Sequence, residues 1–268
     1  MRLLVAILVL LGLSAELRAA GAFPAATPEQ IALFKDAIKN TEQEPARWAY
    51  TETTVKQFSK GKEKGATVVR VDPSKPYAEQ YLPLQIDGKP PTEKQLKKYR
   101  ERGEKHGQHL ARASADPTQP GPSPAGKKEK GMKLDTEHPQ VVSDEGDTLV
   151  FQVPLVDHGT GVPVEKLRVR VVVGKATRQL QHASLRVLES FRVKLVAKVK
   201  AGEGSIDFTV VDPAYGPVMT AATGSFGASL VFVPVNGTFY STRTEWQRVK
   251  PYDERFGVKI GPLKALDL

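Results

Sequence analysis

Phe191-Arg-Val-Lys-Leu-Val-Ala-Lys-Val-Lys200 decides the fold. Phe191, Val193, Leu195, Ala197 and Val199 are apolar. Arg192, Lys194, Lys198 and Lys200 are charged, and only Val196 interrupts the second set. Successive side chains on a strand point to opposite faces, so this period of two predicts a strand with one buried and one wet face. Sheets with one solvated face are characteristic of antiparallel proteins.

Working outward, the same alternation recurs over residues 168–173, 178–188, 190–200, 205–211, 218–223, 228–235 and 238–249, a long meander. Gly202-Glu-Gly204 reads as a turn within it. Asn236-Gly237 reads as a tight hairpin. Upstream, Leu149, Phe151, Val153 and Leu155 share a strand face, after a strand at 140–142 and the acidic turn 143–147. A short helical turn is expected at 164–167.

Thr27-Pro-Glu-Gln30 is a helix start, with Thr27 as cap, Pro28 at the first turn and Gln30 reaching back. Ile31, Phe34 and Ile38 then form an apolar stripe that should lie on the sheet. Strands follow at 47–58, 66–71 and 77–86, and Pro83 marks the last as an edge or a bulge. Thr92 and Gln95 open a second helix to about Arg112, mostly basic, with a thin apolar stripe of Leu96, Tyr99 and Leu110. Residues 113–131, rich in Pro, Gly and Lys, read as a flexible insertion within one domain spanning 23–268.

At the N-terminus, Met1-Arg2 precedes an apolar run over 3–13, and Ala20-Gly21-Ala22 is an A-x-A cleavage site. Residues 1–22 therefore read as a signal peptide, and the run is too short for a membrane span. The expected product is exported, soluble and periplasmic. The chain carries 39 Lys+Arg against 30 Asp+Glu and no cysteine. There is thus no disulfide framework, no thiolate zinc site and no cysteine to accept a lipid. Cleavage would remove two basic residues and one acidic one, taking the net charge from +9 to +8. Export excludes nucleic acid as a partner; anionic lipid, lipopolysaccharide or cell-wall polymer fits better, and a simply solvated basic surface fits best.

No constellation carries an enzyme signature. His106 and His109 lie one helical turn apart, but Lys105 sits between them and no full ligand set assembles. Asp144, Glu145 and Asp147 lack the spacing of a calcium loop. Gly224-Ser-Phe-Gly227 is not the nucleophile elbow. Neither a metal nor a cofactor is implied.

The order helix, three strands, helix and long meander on an exported chain resembles the LolA/LolB/RseB group of periplasmic proteins. The segments Val71-Asp-Pro-Ser-Lys75 and Leu84-Gln-Ile-Asp-Gly-Lys-Pro-Pro-Thr-Glu93 look like a motif of secreted bacterial proteins with that fold. The resemblance implies an α+β, mainly β fold: a curved antiparallel sheet, an incomplete barrel, covered by two or three helices. It further implies a concave apolar face for a lipid or a lipoprotein acyl chain. The alternation puts Leu149, Phe151, Val153, Phe191, Val193, Leu195, Ile206, Phe208 and Val210 on apolar faces, as candidate lining. The expected function is non-enzymatic binding. The alternative is a stress-sensing or interaction protein that contacts another cell-envelope protein, with the concavity filled by its own helices.

Overall fold

The computed structural model describes residues 23–41, 47–58, 64–115, 131–193, 197–230 and 233–256. The expected signal peptide, most of the 113–131 insertion and the chain beyond 256 lie outside these residues, as does Leu195.

Thirteen strands and two helices are described. Helix α1 is Pro28–Asn40 and α2 is Glu93–Ala115. The strands are β1 Trp48–Phe58, β2 Lys64–Val71, β3 Tyr81–Ile86, β4 Met132–Leu134, β5 Gln140–Glu145, β6 Thr148–Val153 and β7 Leu155–Asp157. They continue as β8 Leu167–Gly174, β9 Gln179–Val187, β10 Phe191–Val193, β11 Ala197–Thr209, β12 Val218–Leu230 and β13 Val233–Arg248. Eleven form one antiparallel sheet in the order β3-β2-β1-β13-β12-β11-β9-β8-β6-β5, with β10 beside the start of β11. The sheet is open, with β3 and β5 as its ends. The fold class is the one expected: α+β, mainly β. β4 and β7 form a separate ribbon.

The cap of α1 is the one its sequence encodes. Gln30 N–H donates to Thr27 Oγ1 and Thr27 N–H donates to Gln30 Oε1. Its stripe delivers Phe34 and Ala37, both fully buried, onto Leu149, Phe151 and Val153 of β6 and Val169, Val171 and Val173 of β8. The Phe34 and Phe151 rings meet at 5.0 Å. The N-terminal segment also closes the β5 end, since Val141 N–H donates to Pro24 O at 2.9 Å. At the other end, Pro83 sits in edge strand β3, opposite a register shift at Val68/Val69 in β2.

α2 docks through its glycines more than through its apolar stripe. Gly103 and Gly107 are buried against the 3-10 turn Tyr77–Glu79, and Leu110 is exposed. A Cβ on Gly107 would meet the Tyr77 ring at 2.4 Å. Tyr77 O–H donates to Asp253, which ties this corner to the turn Tyr252–Phe256.

Four sequence expectations are corrected. The third strand begins at Tyr81, because Pro76 O accepts from Glu79 N–H and holds 77–79 in a 3-10 turn. Residues 191–200 are not one strand: β10 folds back on β11, pairing Phe191 with Val199 and Val193 with Ala197. Gly202-Glu-Gly204 is not a turn: it lies inside β11 and pairs with Gly224, Ser225 and Phe226 of β12. Asn236-Gly237 is not a turn. It lies within β13, where Gly237 faces the Phe226 and Phe58 rings, each 2.8–3.0 Å from the place a Cβ would occupy.

Candidate functional site

The register gathers two rows rich in apolar residues on one face of the large sheet. One row runs from Val153 through Val169, Leu185, Gly204, Gly224 and Phe239 to Lys56. A second runs Phe151, Val171, Ala183, Ile206, Ala222, Ser241 and Thr54. Both helices lie on this face. α1 covers the β6-β8 end. α2 covers the β3 end, where Arg102 stacks on the Tyr81 ring at 4.5 Å.

Between the helices, no described helix covers the face. Along the first row, exposure climbs from 2% at Val153 and 8% at Val169 to 39% at Leu185 and 41% at Phe239. Phe226 is 40% exposed and Phe58 36%, and their rings meet at 6.3 Å. These four large apolar side chains lie where β9, β11, β12, β13 and β1 run side by side. Glycines shape this floor. A Cβ on Gly224 would lie 2.2 Å from the Phe239 ring, so the glycine makes room for the ring over the neighbouring strand. A hollow of about 400 Å³ borders Phe58, Phe226, Ala201 and Gly237. A smaller one of about 140 Å³ opens beside the end of α1, among Trp48, Tyr50, Phe208, Met219 and Trp246. There Arg243 stacks on Tyr50 at 4.6 Å and is ion-paired with Glu52 at 3.0 Å. Burial raises the Tyr50 phenol above its ordinary value, against the pull of Arg243.

The nine candidate lining residues divide accordingly. Leu149, Phe151 and Val153 are at most 2% exposed and face α1, so the chain's own helix occupies them. Phe191 is buried on β10, on the same face as Val193, which is half-buried. Ile206 and Phe208 are half-buried in the middle of the sheet, and Phe208 borders the 140 Å³ hollow. Val210 is 38% exposed just past the end of β11. Leu185, Phe58, Phe226 and Phe239 were not among the nine. Leu185 and Phe58 do alternate with polar neighbours, but Phe226 lies in the gap between the expected strands 218–223 and 228–235.

Of the histidines, His106 packs edge-on to Tyr77 and Tyr81, His138 pairs with Asp135 at 2.9 Å and His182 with Asp207 at 2.6 Å. Among the described residues, no group of three or more His, Cys, Asp or Glu side chains is placed to hold a metal. No described helix is long and apolar enough to cross a membrane.

No protein-family model and no curated protein matches the chain. Among solved structures, the crystal structure of a LolA superfamily protein from Nitrosomonas europaea aligns over 87% of this chain and 98% of its own. The identity is 12% and the TM-score 0.34.

Proposed function

We propose that this protein is a non-enzymatic binding protein of the periplasm, and that the bare middle of its helix-bearing face takes an acyl chain of a lipid or lipoprotein. The observation that carries the reading is the single row that passes from the buried core at Val153 to open side chains at Leu185 and Phe239. The apolar pattern continues where helix cover stops. Contiguous exposed apolar surface of this kind marks interaction sites, and covering a Phe or Leu side chain is worth about 1.5–3 kcal/mol. The two helices border the strip at either end and would flank a chain laid across the strands. The N-terminal basic start and apolar run support export.

The test is displacement of a fluorescent fatty acid, together with native mass spectrometry of protein purified from a periplasm. Phe226→Ser and Phe239→Ser should each weaken binding about tenfold or more, as expected from losing 1.5–3 kcal/mol of burial. Full affinity in the double variant, or a chain that never carries lipid, would count against the proposal and favour closure of the face by another envelope protein.

A further inference from the structure

The sheet face opposite the helices carries a second feature, one that does not rest on the acyl-chain reading. Arg168 of β8 and Arg186 of β9 are direct cross-strand partners. Arg170, two residues along β8, shares their face and is partnered by Ser184, which in turn opposes Ser205. Like charges set directly opposite one another on adjacent strands destabilise a sheet unless something neutralises them. Among the described residues the one acid in these rows is Glu203, the cross-strand partner of Arg186, and it is exposed. Among the described residues, none of the three guanidinium groups lies within ion-pair distance of Glu203 or of any other carboxylate. Arg170 Nε is buried without a hydrogen-bond partner, as is Oε1 of its cross-strand partner Gln152 on β6. A hollow of about 500 Å³ is lined by the three arginines with Ser184, Glu203 and Ser205, and it also touches Leu185, Gly204, Gly224 and Phe239 of the intervening row.

The geometry points to an oxyanion site here, formed by Arg168, Arg170 and Arg186, for a phosphate or sulfate group. Arginine presents a planar fork of donors that matches such groups two bonds at a time, and the strand hydroxyls beside it supply further donors. A bound dianion would neutralise the opposed pair, so the ligand would stabilise a fold that carries uncompensated charge without it. The phosphate can arrive free or as a lipid headgroup, and the two differ in what they bring with them.

The experiment uses inorganic phosphate and vesicles containing phosphatidylglycerol as probes, on the intact exported chain and on Arg168→Ala/Arg186→Ala. Phosphate should raise the melting temperature of the wild type and bind at least tenfold more weakly to the double variant. Without phosphate the variant should melt at or above the wild-type temperature, because the like-charge contact is gone. Binding to the vesicles but not to phosphate, lost in the variant, supports the same site with the headgroup as its source. Equal response of wild type and variant to both probes overturns the proposal, as does equal loss on replacing Lys198, which lies elsewhere on that face. Fatty-acid displacement measured on the same variant should be unchanged, which separates failure of this site from failure of the apolar one.

Discussion

Phe34→Ala asks whether α1 belongs to the core or is a removable cover. Phe34 is fully buried, packs on Phe151 at 5.0 Å and is the largest side chain α1 contributes. Truncating a buried Phe to Ala typically costs about 3–5 kcal/mol, combining the lost transfer free energy with the cavity left behind. The other anchors of α1 are peripheral. Lys35–Glu137 and Arg178–Asp36 are exposed ion pairs at 2.7 and 2.6 Å, and such pairs contribute about 0–1 kcal/mol each. The helix is therefore held mainly by Phe34 and Ala37, with Leu33 and Ile38 half-buried against the same core. Against a typical domain stability of about 5–15 kcal/mol, the expected loss is a large fraction of the whole. Urea unfolding followed by the fluorescence of Trp48 and Trp246, on β1 and β13 of the same sheet, should show the unfolding free energy fall by that amount, as a lower midpoint at unchanged slope. Asp36→Asn should move it by less than about 1 kcal/mol. A Phe34→Ala loss below about 1 kcal/mol, with apolar dye binding gained and the midpoint held, would refute the reasoning. Leu149, Phe151 and Val153 would then belong to a coverable site.

Three further outcomes follow from the geometry. Gly103→Ala would put a Cβ 1.8 Å from Tyr77 O, a backbone atom. The overpacking cost of about 1–3 kcal/mol should outweigh the helix-propensity gain of about 1 kcal/mol, and hydrogen exchange should show faster opening over 77–86 and 93–110; a variant more stable than wild type would contradict the docking. The carboxyls of Asp144, hydrogen-bonded by Lys175, of Asp157, hydrogen-bonded by Thr160, and of Asp135, hydrogen-bonded by His138, all lie below their ordinary values. Their contribution is present above about pH 4 and lost as pH falls through the folded values, so Asp144→Asn should flatten the acid limb of a pH–stability curve and leave its neutral-to-alkaline slope alone. Burial and the Asp253 hydrogen bond raise the Tyr77 phenol. The unfolded phenol then ionises first, stability is lost as pH rises above about 10, and Tyr77→Phe should remove that part of the alkaline loss; an unaltered alkaline limb would show that Tyr77 is not linked.

The period-two alternation made the sheet and its face assignment legible, even where the strand boundaries were not. Phe191 to Lys200 reads as one strand but folds back as two. The face assignment survives because Phe191 pairs with Val199 and Val193 with Ala197, so odd-numbered residues still meet odd-numbered ones. Glycines were the main source of error. In a sequence, a glycine that makes a turn and a glycine that makes room under a ring look alike, and Gly224 and Gly237 are of the second kind. What separates them is the strand register, which sets Phe239 opposite Gly224 and Phe226 opposite Gly237. The arginine site depends on register in the same way. Arg168 and Arg186 lie in different strands, and only pairing makes them neighbours.

The middle of this sheet has little helix cover on one face and charged or hydroxyl side chains on the other, so its stability there must come from within the layer. The cross-strand pairs supply it. Phe239 lies over Gly224, Phe226 and Phe58 crowd Gly237, and Ser205 and Thr223 share a hydrogen bond at 2.9 Å. Cross-strand pairs of these kinds are worth about 0.2–1 kcal/mol each, enough to keep the strands in register but far below what a covered core provides. The long strands β11, β12 and β13 are therefore held in their middle by pairing within the layer. An apolar occupant on the helix-bearing face and an oxyanion on the other would each add to that pairing from its own side.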